Sequence, residues 1–290
     1  NSLFGGEGRG PEQTKAIVEA LTESRDEEEL LLALNAVAAS YYPRIHDRDA
    51  GDRLEAFLSR SGPLVVYVGK LIHSKGVHSL ISAFAGVRRN IPNARLLVIG
   101  FGTFREGLET LTLGISTGGE ASLVRLGKLG RRLEGQPSGE LEHFEVGRGL
   151  SRPGLWEAVE FVGPLEHEAL AKVLPEADVA VVPSIFPEIF GLVAAEFAAS
   201  GVVPFVARHS GLAEAGAIVG AGLPFDVTVG MDDFEHNLQA ALTDYLSLPQ
   251  EERERCSRIV RENSIRRLSW LSLAEDLTGL ANEAGGNKNV

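Results

Sequence analysis

The chain is poor in the residues that cross-link, ligate or anchor a protein. Its single cysteine, Cys256, excludes an intramolecular disulfide, and no cysteines and histidines cluster at metal-ligand spacing, so a reducing cytoplasm fits best. Positive charge is scarce: 28 Lys and Arg stand against 40 Asp and Glu, a net charge of −12. Such a balance repels nucleic-acid phosphates and argues against a nucleic-acid partner unless the few positive groups are concentrated locally. No run reaches the ~18 uncharged apolar residues that a membrane-spanning helix needs, because Asp178, Glu188 and Glu196 interrupt the most apolar zone.

What the chain does have is a core. In 290 residues the apolar share is 44%, which excludes global disorder and fits roughly two domains. From Leu64 onward, short β-branched runs alternate with helical periodicity, the pattern of repeated βαβ units in a doubly wound parallel α/β sheet. Five strands are expected, at Leu64–Val68, Ala94–Ile99, Val159–Val162, Val179–Val182 and Val202–Val206. Val77, Leu80, Ile81, Phe84 and Val87 give one helix an apolar face, and Leu165, Ala169, Leu170 and Val173 another. Beyond Asp232 the chain reads as helix, through Leu238, Leu242, Tyr245, Ile259 and Val260 to Trp270, Leu273, Leu277 and Leu280.

Residues 1–62 differ: an acidic run from Glu23 to Glu29 leads into Leu30–Leu34, which reads as a helix or linker with a solvated acidic start. The start at Asn1, without an initiator methionine, suggests a piece of a longer protein. Residues 63–285 then form the main domain, interrupted at 114–154 by a glycine-rich insertion too long for an ordinary loop. Within it Leu123, Leu126, Leu129 and Leu133 recur at helical spacing beside Arg125, Lys128, Arg131 and Arg132. A loosely ordered insertion packing its leucines on the parent domain is preferred over an acceptor, partner or peripheral membrane contact.

Ligands of open parallel sheets bind outside the carboxyl ends of the strands. There, Gly69-Lys70-Leu71-Ile72-His73-Ser74-Lys75-Gly76 follows the first strand and places two ammonium groups where a pyrophosphate could be neutralised. Two surface lysines at a helix start is the competing reading. Gly100-Phe101-Gly102 follows the second strand without the third glycine of a dinucleotide fingerprint, which disfavours a nicotinamide or flavin site. The strongest feature follows the fourth strand, Pro183-Ser184-Ile185-Phe186-Pro187-Glu188-Ile189-Phe190-Gly191 running on to Glu196. Eight residues of helix span about 12 Å and bring the second carboxylate back to within a quadrant of the first. Glu188 and Glu196 could therefore accept hydroxyl hydrogen bonds from opposite ends of one ligand, while N–H groups near Phe190 and Gly191 face a central diphosphate. Glu196 stands among Val193, Ala194, Ala195, Phe197 and Ala198, so a buried carboxylate in need of donors is expected, met by a ribose or by a structural ion pair.

Together these residues resemble the retaining nucleotide-sugar glycosyltransferases of the GT-B fold, of the family 4 or group 1 type. Val68-Gly69-Lys70-Leu71 with Lys75-Gly76 is similar to that family's Gly-Arg-Leu and Lys-Gly segment, with lysine at 70 for the usual arginine. Gly100-Phe101-Gly102 is similar to its Gly-x-Gly turn, Phe161-Val162-Gly163-Pro164 to its nucleobase loop, Glu188 to Glu196 to its Glu-x7-Glu motif, and Ser210-Gly211-Leu212-Ala213-Glu214 to its Gly-Gly-Leu-Pro-Glu turn. The resemblance implies the C-terminal donor-binding half of that fold. It implies that Lys70 and Lys75 meet the donor diphosphate beside Gly69, that Glu188 binds the sugar and that Glu196 holds the ribose. It implies further that Phe190 and Gly191 offer N–H groups to phosphate, that Val162 and Gly163 read the base, and that Glu214 lines the site. The donor would be a UDP-sugar or GDP-sugar, with no metal or other cofactor. The acceptor, a sugar, lipid or small molecule, stays open. His73 and His209 are expected to be ordinary loop residues without partners.

An N-terminal acceptor domain is part of that fold, and about 60 residues before the first strand are too few for it. The chain on its own is then expected to be inactive. The alternatives to a hexosyltransferase domain are a truncated or non-catalytic sugar-nucleotide binding module and, behind both, a sugar phosphorylase or epimerase of related fold.

Overall fold

The computed structural model describes residues 49–117, 120–144 and 150–269, together with Glu28, Asp47, Leu271, Ser272, Ala274 and Thr278. The expected helix at Leu30–Leu34 and the expected helical positions Trp270, Leu273, Leu277 and Leu280 lie outside the described residues. The chain order is α1 (Ala50–Leu58), β1 (Leu64–Lys70), α2 (Val77–Asn90), β2 (Arg95–Phe101), α3 (Arg105–Thr117), α4 (Glu120–Leu129), α5 (Leu155–Ala158), β3 (Val159–Val162), α6 (His167–Val173) and β4 (Val179–Val182). It continues with α7 (Leu192–Ala199), β5 (Val203–Ala207), α8 (Ser210–Val219), β6 (Thr228–Val229), α9 (Phe234–Leu246) and α10 (Gln250–Leu268). Among these residues no helix is long and apolar enough to cross a membrane.

All pairings in the sheet are parallel, in the order β3-β2-β1-β4-β5-β6. This is the doubly wound α/β architecture expected from the alternating pattern, with a sixth strand added. Thr228–Val229 is too short to give a period-two signal and is held by Val206↔Thr228 and Ala207↔Val229. The strand order reverses between β1 and β4, and in open parallel sheets ligands bind beyond the carboxyl ends at such a point. Burial along β1 falls in the same direction, from fully buried Leu64 to exposed Lys70, so the strand leaves the core where a ligand would sit.

Over 120–134 the insertion is helical, and it packs its leucines on the parent domain as expected. Leu123, Leu126, Leu129 and Leu133 are all buried, with Leu126 Cδ1 lying against Gly114 of α3. Their apolar area is better removed from water against α3 than left on a solvated helix. Sandwiched in this way, α3 is buried at every position from Arg105 to Ser116. Buried charge must then be paired. Arg105 donates to both carboxylate oxygens of Asp47 at 2.7 Å each, to Glu109 at 3.1 Å and to the Phe161 carbonyl at 3.2 Å. Arg53 of α1 also holds Asp47, at 2.6 Å, and bonds Glu160. The cluster ties the segment before α1 to the exit of β3.

Burial opposes ionisation of Asp47, but the hydrogen bonds and charges of Arg105 and Arg53 outweigh it and hold the carboxyl below the usual aspartate range. A depressed folded-state pKa contributes stability at pH above the unfolded value, about 4, which is lost as pH falls through the folded one. Asp47→Asn is expected to cost about 3 kcal/mol at pH 7, because one member of a nearly buried ion pair is removed. The urea midpoint of wild type should also fall more steeply than that of the variant between about pH 4 and pH 3.

Candidate functional site

The β1 exit is built from close backbone contacts. A Cβ at Gly100 would stand 1.8 Å from the Gly69 carbonyl oxygen, and one at Gly102 would stand 2.2 Å from that of Leu71. The Gly-x-Gly pair thus lets β2 lie against the segment carrying Lys70. Beneath it the Tyr67 hydroxyl donates to the Lys70 carbonyl at 2.8 Å, and burial with the nearby Glu188 charge pushes its pKa up, keeping it a donor. His73, Ser74 and Lys75 form a single 3-10 turn, closed by Gly76 at φ 66°. A Cβ on Gly76 would meet the Pro183 carbonyl at 2.0 Å, so the exits of β1 and β4 touch at this glycine. Ile185 N–H donates to Ser74 O at 3.0 Å and fastens the two loops.

Across this junction Lys75 Nζ bonds Glu188 Oε1, and Ser184 Oγ donates to the same oxygen at 2.6 Å. The structure therefore brings two of the expected site residues into direct contact. Burial works against ionisation of Glu188, but the hydrogen bonds from Lys75 and Ser184 and the Lys75 charge prevail and hold the carboxyl below its usual range. An ammonium has three donors, so one bond to Glu188 leaves two for other acceptors. Lys70 is exposed at the strand end.

After Glu188 the chain passes Phe190 and Gly191, the latter at φ 85°, and enters α7. Among the described residues the N–H groups of Phe190 and Gly191 donate to no protein group. Glu196 lies one face along α7 and is exposed, with no ion pair among the described residues. The expectation of a buried carboxylate is corrected: the small residues around it in sequence pack on α8 and α10 from the other side of the helix, and Glu196 faces out. Glu214, on α8, is likewise exposed. At the β3 exit Val162 and Gly163 are buried under Asp47, whose Oδ1 would come 2.8 Å from a Cβ on Gly163.

Both histidines differ from expectation. His73 is 5% exposed and stacks on His78, ring centroids 4.9 Å apart, while its backbone N–H donates to Glu134 Oε1 at 2.8 Å. Burial, with Arg131 nearby, lowers its pKa, and the fully buried His78 is pushed down to about 3. The insertion thereby clasps the turn that carries Lys75. His209 is not partnerless: Nε2 lies 2.6 Å from the Ser184 carbonyl and Nδ1 3.0 Å from Ser210 Oγ. Ser184 and Tyr67 were also missed as site residues. Ser184 could have been suspected from its place four residues before Glu188, whereas nothing in the sequence places Tyr67 or Asp47 beside these loops.

The model of the family described as glycosyl transferases group 1 matches residues 55–120 and 150–263. The chain belongs to the group 1 glycosyltransferases. The family match omits 121–149, where α4 and the clasp on the Lys75 turn lie. A glycogen synthase of Mycobacterium tuberculosis is 32% identical over 157 residues, 54% of this chain and 28% of that protein. A D-inositol 3-phosphate glycosyltransferase of Corynebacterium glutamicum is 30% identical over 228 residues, 78% of this chain and 45% of that protein. The chain thus spans less than half the length of these curated relatives. A sucrose-phosphate synthase of Thermosynechococcus elongatus shares the fold at a TM-score of 0.53 and 22% identity, covering 94% of this chain and 66% of the other. The sheet is accordingly the Rossmann-like half of a GT-B glycosyltransferase.

Proposed function

We propose that this domain binds a nucleoside-diphosphate hexose, a UDP-sugar or GDP-sugar, and serves its transfer to an acceptor hydroxyl with retention at the anomeric carbon. The observation that supports this most directly is the Lys75–Glu188 contact, held by Ser184 at the mouth between β1 and β4 and adjoining the N–H groups of Phe190 and Gly191. A cation, a carboxylate and unpaired amides side by side suit a ligand that is anionic at one point and hydroxylated next to it. In this reading Lys75, Lys70 and the two amides face the diphosphate beside Gly69, and Glu188 takes sugar hydroxyls. Glu196 takes the ribose and Glu214 lines the opening, whereas Val162 and Gly163, expected at the base, lie covered by Asp47.

In the transfer step the bond from the anomeric carbon to the diphosphate breaks, the acceptor oxygen bonds to that carbon, and the acceptor's proton is released. Negative charge grows on the departing diphosphate, where preformed donors are most effective because they need no reorganisation. Lys75 and Lys70 supply the positive charge that offsets it, and the reading needs no metal. As a point charge, Lys70 lacks the two-pronged grip of an arginine. The acceptor, a sugar, lipid or small molecule, would be read mainly by a second domain.

Calorimetric titration with UDP, GDP and ADP, with and without Mg²⁺, tests the reading. Binding of one nucleotide irrespective of metal is expected, weakened about 10- to 100-fold in Lys75→Ala through loss of a charge-assisted bond. Binding of none would instead support a binding-incompetent or truncated module.

A further inference from the structure

We propose that His209 and Ser210 are positioning residues that hold Glu188 in place for the donor sugar, a role that rests on the reading of Glu188 given above. The observation is a strained serine. Ser210 has φ 46°, a left-handed backbone that L side chains seldom adopt, and only His143 and Asp233 share a positive φ among the described non-glycine residues. A glycine there would carry the conformation without strain. A side chain at such a position costs strain, which its contacts must offset.

The Ser210 hydroxyl makes them. Glu188 N–H donates to Ser210 Oγ at 2.9 Å, and the next residue, Gly211, donates its N–H to the Glu188 carbonyl at 3.0 Å. Both backbone groups of Glu188 are thus held by the start of α8. The approach is close enough that a Cβ on Gly211 would stand 2.0 Å from Ile189 O, so the second residue of this turn must be glycine while the first need not be.

His209 orients that hydroxyl. Nε2 faces the Ser184 carbonyl, which can only accept, so this nitrogen carries a proton. In the neutral ring Nδ1 is then an acceptor, and it lies 3.0 Å from Ser210 Oγ. Having accepted from Glu188 N–H, that oxygen gives its own proton to Nδ1. The path closes through Ser184, whose hydroxyl donates to Glu188 Oε1 at 2.6 Å. Backbone and carboxylate of Glu188 are therefore joined in one loop of bonds running through His209, and among the described residues only Lys75 bonds the carboxylate from outside that loop.

Ser210→Gly separates positioning from folding, because it removes the hydroxyl and relieves the strain together. The probe is the gain in affinity of UDP-glucose, GDP-glucose and ADP-glucose over UDP, GDP and ADP, measured by calorimetry beside the melting temperature. Wild type should show a gain for one pair. Ser210→Gly should melt at the same temperature or higher, keep its nucleotide affinity and lose about tenfold of the gain, since a misaimed carboxylate bonds the sugar poorly. Nitrogen NMR of His209 should show the Nε2–H tautomer, and His209→Phe should reproduce the loss. If the gain survives in Ser210→Gly, or falls only together with the melting temperature, the positioning role is overturned while the donor reading stands. If wild type gains nothing from any sugar, the donor reading of Glu188 fails and this role with it. The Nδ1–H tautomer would overturn the path through His209.

Discussion

Sugar transfer is expected to fall about 100- to 1,000-fold in Glu188→Ala, while nucleotide affinity holds or improves. The opposite signs follow from the contact with Lys75. In the chain as it stands the carboxylate occupies one of the three donors of the ammonium and offsets its charge. Removing it returns that charge to the diphosphate, so binding of the nucleotide part should not suffer. What is lost is the acceptor facing the sugar, whose interactions count most as the anomeric centre develops positive character. Initial rates of donor turnover and calorimetric nucleotide affinity, measured on the same variant, check both halves. Parallel loss of both would mean that Glu188 acts through Lys75 and not on the sugar. Glu188→Gln should fall between, since its amide still accepts from Ser184 and Lys75 without carrying a charge.

Gly100→Ala is expected to have the largest effect on stability, about 4 kcal/mol, made up of a positive-φ strain and a backbone overlap that cannot relax. Gly100 has φ 152° and pairs with Gly69 across β1 and β2, so its Cβ would sit 1.8 Å from the Gly69 carbonyl. The neighbour is main chain within the β1–β2 ladder, next to its last pair, not the end of a flexible side chain, and the two strands would have to part there. For a domain of this size that corresponds to a fall of about 10 °C in melting temperature by scanning calorimetry. Lys70 follows Gly69 directly, so nucleotide affinity should drop as well. A melting temperature within a degree or two of wild type would show that the β1 exit yields more readily than its close contacts indicate. The same substitution at exposed Gly51, where a Cβ meets nothing, serves as the control.

The fold was legible because a parallel sheet buries both faces of its strands. Runs such as Leu64–Val68 and Val179–Val182 are continuously apolar and bounded by turn residues, a signal that needs no knowledge of neighbours. Thr228–Val229 escaped because two residues carry no period, and their pairing is decided by β5. Glycine positions could also be read, but not their purpose. Gly100 and Gly102 suggested either a turn or a close approach to a ligand, and the structure shows their hydrogen atoms facing the chain itself, at Gly69 and Leu71.

At the site, residue types and spacing placed Lys70, Lys75 and Glu188 at strand exits, but the helix expected from Glu188 to Glu196 begins only at Leu192, so Glu188 stands in the loop and Glu196 alone on α7. A chain can encode this locally, since a loop that follows a buried strand must emerge at the sheet's edge. Environment was a different matter. Glu196, among alanines and valine, read as buried and is exposed, because which face of α7 meets α8 and α10 depends on elements still to come in the chain. His209 read as partnerless and bonds Ser184, 25 residues away; Asp47 carried no signal and closes over Gly163 through Arg105, 58 residues on. The sequence by itself determined the sheet and the residues at the carboxyl ends of its strands, all of which follow from local pattern and strand direction. Only the tertiary structure decided which charges meet, since a hydrogen bond depends on distances of a few tenths of an ångström between loops whose separation along the chain says nothing about their separation in space.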